Sequence, residues 1–100
     1  MQTNILDQIL KNEVHFHFSK SGWHWGQNVN KRMTKAELYF NVWDSHYLDD
    51  EQKQKIVDNA WHRIHHHEKI LIMTCQEERF HEANKEKVIR HFREFMNSIL

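Results

Sequence analysis

Residues 18–31 read FSKSGWHWGQNVNK, and this polar stretch separates two segments whose side chains alternate between apolar and polar. It contains Gly22 and Gly26, the 2 glycines of the chain. The flanking segments, residues 14–18 and 35–43, have the period of two that is typical of half-buried strands. We therefore predict a β-hairpin with a long loop over residues 19–34, and a loop of this length in a small domain is usually functional.

The alternation also assigns a face to each side chain of the two predicted strands. In the first strand we expect Val14, Phe16 and Phe18 to face the core, and His15 and His17 to face away from it. In the second strand the expected core face consists of Ala36, Leu38, Phe40 and Val42, and the other face consists of Glu37, Tyr39, Asn41 and Trp43.

The rest of the chain predicts two helices and a third strand. Asp49 or Asp50 is a good N-cap for a helix that should continue to about His66, with the histidines at 65–67 fraying its end. Residues 70–75 form a short apolar run, which indicates a strand buried on both faces or nearly so. A last helix is expected from about Glu82 to the end of the sequence, on an apolar stripe of Val88, Ile89, Phe92, Phe95, Met96, Ile99 and Leu100.

This order, β-β-α-β-α, predicts an α+β domain in which two helices cover one face of a small sheet. Residues 1–12 have a weak periodic pattern and form either a short helical turn or an irregular lead-in. The length of 100 residues suits one domain with one modest core.

The composition argues against several functional classes. Lysine plus arginine and aspartate plus glutamate both number 14, so the chain lacks the basic excess of a typical nucleic-acid-binding protein. Cys75 is the 1 cysteine, which allows no internal disulfide and fits a reducing compartment. There is no apolar run long enough to cross a bilayer and no signal-peptide pattern, so we expect a cytoplasmic protein.

The segment GQNVNK at residues 26–31 resembles the catalytic loop of the class I peptide release factors. It is most similar to the loop of the small ribosome-rescue peptidyl-tRNA hydrolases, which reads roughly Ser-Gly-x-Gly-Gly-Gln-Asn-Val-Asn-Lys. The resemblance extends over residues 14–100 through further matching segments: KAELYF at 35–40, Arg63-Ile64, ILI at 70–72, CQEER at 75–79 and Asn84-Lys85.

The resemblance implies a release-factor catalytic fold and a specific reaction. Domains of this family insert the loop into the ribosomal peptidyl-transferase centre, where the glutamine and its backbone N–H help water to attack the ester between peptide and tRNA. Carried over to this chain, Gly26 and Gln27 would be the catalytic pair, and residues 28–31 would anchor the loop. No cofactor is implied.

The loop departs from the family pattern where the chemistry needs small residues. Trp25 replaces the first glycine of Gly-Gly-Gln, and Trp23 and His24 replace the small residues before it. Indole rings would occupy the narrow space for the tRNA end, and a glycine-only backbone conformation would be strained. Rescue proteins also carry a basic C-terminal tail, whereas this chain ends at Leu100, so we expect weaker RNA affinity.

These departures favour a catalytically disabled scaffold, natural or engineered, that binds a protein partner. Tryptophan and other aromatic residues dominate the hot spots of protein interfaces. The candidate binding residues are such aromatic residues and the histidines next to them: Trp23, His24, Trp25, Trp61, His62, Phe80 and His81. Core packing is the alternative for the tryptophans, above all for Trp61, which follows Val57 by one helical turn. A working peptidyl-tRNA hydrolase, with ribosome and peptidyl-tRNA as partners, is the alternative function.

The histidines have two interpretations as well. On the predicted helix, His62, His65 and His66 have spacings of three and four, which suits a transition-metal site. Without obvious carboxylate or cysteine partners nearby, solvated surface histidines are favoured, and no metal site is predicted. Cys75 is expected to pack as a small apolar side chain.

Overall fold

The structure, a computed structural model, describes residues 3–20, 34–60, 64–65 and 69–100. These residues form three α-helices and four β-strands. In chain order they are α1 (Thr3–Asn12), β1 (Val14–Lys20), β2 (Thr34–Asn41), α2 (Asp50–Asn59), β3 (Ile64–His65), β4 (Ile70–Cys75) and α3 (His81–Ile99). The predicted α+β class is confirmed, whereas the order contains an additional helix and an additional short strand.

The strands form one antiparallel sheet with the order β1-β2-β4-β3. The predicted hairpin is confirmed, since β1 pairs with β2 and Phe16 lies opposite Leu38. The predicted core face is also confirmed: Ala36, Leu38 and Phe40 are buried and form one core with apolar residues of the helices. In that core the rings of Phe40 and Phe92 meet edge to face, with centroids 5.7 Å apart.

The segment that was either a helical turn or a lead-in is the helix α1. Its residues Leu6 and Ile9 are one turn apart and are both buried in the core. Asp7 on the same helix forms an ion pair with Arg93 of α3, with 2.8 Å between Oδ1 and Nη1. Burial of one apolar stripe therefore stabilises a helix whose sequence pattern alone is weak.

The strand β2 ends at Asn41, two residues before the predicted end. The Asn41 side-chain oxygen accepts a hydrogen bond from the Asp44 N–H at 3.3 Å, so the chain turns here. Trp43 therefore lies in a turn and is not a strand residue. Lys53 donates to its carbonyl at 2.8 Å and places the ammonium 5.8 Å from the centre of the indole.

The helix α2 begins as predicted and ends earlier than predicted. Asp49 is its N-cap and forms a capping box with Gln52. The expectation that it continues to His66 is wrong: it ends at Asn59, and Ile64–His65 form the strand β3. Ile64 is buried opposite Leu71, so pairing with β4 replaces another helical turn. Of the three histidines expected on one face of this helix, His65 lies in β3, and those at 62 and 66 lie outside the described residues.

The strand β4 and the helix α3 have nearly the predicted bounds. Leu71, Met73 and Cys75 are buried as predicted, but Ile72 is half-buried and Thr74 is exposed. The prediction that β4 is buried on both faces is wrong, because the core lies on one face only. No helix in the described part of the chain is long and apolar enough to cross a membrane.

Candidate functional site

The predicted loop is connected to the end of the β1–β2 hairpin. Lys20 is the last residue of β1 and lies opposite Thr34, the first residue of β2. The candidate catalytic residues Gly26 and Gln27 lie outside the described residues. The same holds for five of the candidate binding residues, Trp23, His24, Trp25, Trp61 and His62.

A buried asparagine fixes the β2 side of this end. Asn84 of α3 is 0% exposed, and its side-chain nitrogen donates to the Thr34 carbonyl at 2.9 Å, the Thr34 hydroxyl at 2.7 Å and the Glu78 carbonyl at 3.0 Å. Its oxygen accepts from the Glu78 N–H at 2.9 Å and lies 3.4 Å from the Cys75 sulfur. One amide group therefore joins β2, the β4–α3 connection and α3.

The position of Asn84 on α3 explains why it is buried. It lies one, two and three helical turns before Val88, Phe92 and Met96, the buried residues of the same stripe. The sequence resemblance singled out Asn84 as part of an Asn-Lys pair, but its role in the core was not predicted. The signal that could have revealed the buried polar network is a single amide side chain on an otherwise apolar stripe, at the end of the helix nearest the loop.

An aromatic cluster lies at the same end of the sheet, next to β1. The ring of His81 is 5.3 Å from that of Phe18, its Nε2 is 3.3 Å from the Ser19 carbonyl oxygen, and the Phe16 and Phe18 rings stack at 6.3 Å. Phe80 precedes His81 and is 69% exposed. We call Phe16, Phe18, Phe80 and His81 the aromatic end.

Both described candidate binding residues, Phe80 and His81, are thus exposed and belong to the aromatic end. Phe18 was predicted to face the core, and although it lies on the helix side of the sheet, it is 38% exposed. The reason is its position near the end of the outermost strand, where core packing is incomplete. Its contribution to an exposed aromatic surface was therefore missed.

Charged side chains of α3 and of the β4–α3 connection lie near this end. Lys85 places its ammonium 5.0 Å from the centre of the Phe16 ring. Lys87 lies 3.1 Å from Glu77 and 2.8 Å from Glu78. The hydrogen bond from Lys87 lowers the pKa of Glu77, and the hydrogen bonds to Glu78 and Glu77 raise the pKa of Lys87.

The face of the sheet opposite the core carries another group of charges. Glu37 lies 3.4 Å from Nδ1 of His17 and 3.9 Å from the Lys35 ammonium. The pKa of Tyr39 is raised first by its burial and further by the negative charge of Glu37 and a hydrogen bond with it. The residues that the structure describes contain no group of three or more His, Cys, Asp or Glu able to hold a metal ion.

The largest concavity among those described does not coincide with the aromatic end. It is an open groove of about 700 Å³ between β4 and the C-terminal half of α3, lined by Ile72, Met73, Thr74, His91, Glu94, Phe95 and Ser98. At the aromatic end Phe18, Phe80 and His81 are exposed, which suits contact with a macromolecule.

Comparison with protein-family models and with curated proteins finds no match to this chain. The relation to release factors therefore depends on the motifs quoted above, and the candidate site depends on the geometry of the described residues.

Proposed function

We propose that this chain is a release-factor-type domain that has lost peptidyl-tRNA hydrolysis and binds a protein partner through its aromatic end. The observation that carries the proposal is the exposure of Phe80, 69%, next in sequence to His81, whose ring contacts that of Phe18 at the end of the sheet where the tryptophan-containing loop begins. The proposal requires no cofactor, and the free thiol of Cys75 fits a cytoplasmic location.

The energetic argument concerns water at the aromatic end. An exposed phenylalanine gains about 1.5–3 kcal/mol when a partner removes it fully from water. Contact with His81 restricts Phe18 before binding, which lowers the entropy lost on association. If Trp23 and Trp25 contribute to the same surface, they add the residue type most enriched in interface hot spots.

The catalytic reading is weakened by the loop sequence. A glycine at position 25 would allow the backbone to approach the tRNA end closely, whereas Trp25 adds a bulky indole side chain at this position. Because ester hydrolysis depends on a precisely positioned backbone donor, a displacement of the Gln27 amide would remove much of the stabilisation of the transition state, about 3–4 kcal/mol.

A photo-crosslinking amino acid tests the protein-binding proposal directly. We would introduce p-benzoylphenylalanine at Phe80, and at Gln54 on the exposed side of α2 as the matched control. We expect position 80, and not position 54, to give a discrete covalent adduct with one protein in cells, and the adduct to disappear with an added Phe18→Ala change. Adducts with ribosomal RNA alone, or equal adducts at both positions, would reject the proposal.

Peptidyl-tRNA hydrolysis is a second candidate function, and one observation favours it. Asn84 fixes Thr34, the first residue of β2, which is separated from the GQNVNK segment by two intervening residues. A catalytic loop needs such a rigid base. The test is peptide release from stalled ribosomes by the natural chain, by Trp25→Gly and by the double change Trp25→Gly with Gln27→Ala. Under the main proposal, we expect no peptide release by the unmodified chain or by the double variant, and restored release in Trp25→Gly. Release by the unmodified chain would establish the hydrolase.

A further inference from the structure

The outer edge of β1 has backbone groups available for another strand. β1 is the outermost strand in the order β1-β2-β4-β3. The Val42 N–H donates to the Lys69 carbonyl at 3.0 Å, in continuation of the β2–β4 register. Because hydrogen-bonding direction alternates along a strand, even-numbered residues of β2 bond towards β4 and odd-numbered residues bond towards β1.

The register then decides which groups of β1 point outward. Odd-numbered residues of β2 lie opposite His15, His17 and Ser19, so these residues use their N–H and C=O groups in the β1–β2 ladder. The N–H and C=O groups of Phe16 and Phe18 point away from the sheet. Among the described residues, no hydrogen bond outside the ladder involves these groups. An edge of this kind is a template for an added strand.

The side chains along the edge define what an added strand should carry next to Phe16 and Phe18. Both rings lie on the helix side of the sheet, half-buried and 38% exposed, respectively. Directly opposite residues in neighbouring strands pack against each other. A partner residue facing these rings should therefore be apolar, and it would cover the part of the aromatic end that is closest to β1.

Lysines supply the positive charge along this edge, and histidines lie on its other face. Lys20 is exposed at the end of β1, the Lys85 ammonium lies over the Phe16 ring, and His15 and His17 are exposed on the other face. Two carboxylates near β1 already have partners. Glu37 contacts His17 and Lys35, and Glu13 accepts from the Ser45 hydroxyl at 2.6 Å and the His46 N–H at 2.8 Å.

We infer that the partner binds as an extended acidic segment that adds a fifth strand to the outer edge of β1, with apolar side chains against Phe16 and Phe18. This inference rests on the proposed function in protein binding and adds the chemistry of the partner. A second copy of the chain fits less well, because its own β1, residues 14–20, carries no carboxylate to pair with Lys20 or Lys85.

The test uses a nine-residue synthetic peptide with valine at positions 4 and 6 and glutamate elsewhere, so that a glutamate lies on the same face as Lys20 when the valines face Phe16 and Phe18. The control peptide has lysine in place of each glutamate. We expect the acidic peptide to shift and protect the backbone amides of Phe16 and Phe18 in NMR spectra, and the basic peptide to bind at least tenfold more weakly. Lys20→Glu should weaken binding of the acidic peptide about fivefold to tenfold, since one reversed contact is worth about 1 kcal/mol. Lys55→Glu, an equal charge change on α2, should leave binding unchanged.

A proline isolates the backbone contribution. Phe18→Pro and Phe18→Ala both remove the ring, but only proline also removes the outward N–H, and proline is tolerated on edge strands. We expect Phe18→Pro to bind the peptide about fivefold more weakly than Phe18→Ala, the value of one hydrogen bond. If Phe18→Pro fails to fold, an acidic peptide with N-methylated alternate amides replaces it, and we expect the same loss.

Equal binding of the acidic and basic peptides would overturn the inference, as would protection of amides elsewhere than at Phe16 and Phe18. Equal binding by Phe18→Pro and Phe18→Ala, together with equal binding of the N-methylated and unmethylated acidic peptides, would also overturn it. A dimer in sedimentation that forms through β1 would identify a second copy of the chain as the occupant instead. If the peptides fail but the crosslink from position 80 persists, protein binding stands and strand addition is rejected. If the crosslink is also absent, the proposed function is rejected with it.

Discussion

Removal of the Asn84 side chain should destabilise the domain strongly, although the change is small in volume. In Asn84→Ala, the Glu78 N–H and the Thr34 carbonyl lose this partner, whereas the Glu78 carbonyl keeps the Thr34 hydroxyl at 3.3 Å. A buried group left without a partner costs about 1–3 kcal/mol. Thr34 and Glu78 are half-buried, so water replaces part of the loss, and we expect about 3 kcal/mol in total.

This loss is a large fraction of the stability of a domain of this size, about 5–15 kcal/mol. Urea unfolding followed by circular dichroism measures it. With a slope of about 1–3 kcal/mol per molar, the midpoint should fall by about 1–3 M with little change in slope. Asn97→Ala is the matched control, since Asn97 is exposed on the same helix, and we expect a change within about 0.5 kcal/mol.

Asn84→Asp sharpens the test. The substitution keeps the shape of the side chain but replaces the donor nitrogen by an oxygen that faces two carbonyls, those of Thr34 and Glu78. At neutral pH we expect a loss at least as large as that of Asn84→Ala. If both variants unfold at the same urea concentration as Asn97→Ala, Asn84 does not hold this end together and the reasoning fails.

Three further predictions concern other parts of the fold. Lys69 has a φ of 56°, so Lys69→Gly should stabilise the domain by about 0.5–1 kcal/mol relative to Lys69→Ala, as measured by urea unfolding. Asp49→Ala should remove the capping box and cost about 1 kcal/mol in the same assay, clearly more than Asp50→Ala. The carboxyl of Glu77 should titrate below its ordinary pKa in NMR spectra, and Lys87→Gln should raise this pKa.

The sign of the Glu77 effect follows from its lowered pKa. A carboxyl of this kind contributes stability above its ordinary pKa and loses it as the pH falls through the lowered value. The natural chain should therefore exceed Lys87→Gln in stability at neutral pH and lose that advantage in acid. A constant difference across this range would contradict the lowered pKa of Glu77. Equal unfolding of the two Lys69 variants, or of Asp49→Ala and Asp50→Ala, would contradict the prediction made for that pair.

The hairpin and its faces could be predicted because the period-two pattern is local and unambiguous. Phe16 and Leu38 pair on the core side as the alternation requires. The end of α2 could not be predicted in this way. Val57, Ala60 and Ile64 have helical spacing, and the same Ile64 fits a strand, so only pairing with Leu71, a contact distant in sequence from α2, decides between them.

The candidate site was predictable to a similar, partial degree. Phe80 and His81 were selected as an aromatic residue and a histidine of a possible interface, and both are exposed at the end of the sheet where the loop begins. The exposure of Phe18 was not predictable, because it depends on the order of strands in the sheet, which alternation does not determine. The roles of the loop residues from Trp23 to Gln27, in binding or in catalysis, remain predictions.

The position of Cys75 makes it a reporter of motion at the loop end. It is the 1 cysteine of the chain, it is 3% exposed, and its sulfur lies 3.4 Å from the Asn84 amide oxygen. A thiol reagent can react only when the surroundings of this sulfur open, so the rate of modification reports the free energy of that opening. Labelling of this single thiol, without any engineered residue, can therefore measure how often the hydrogen-bond network of Asn84 opens, with and without a bound partner.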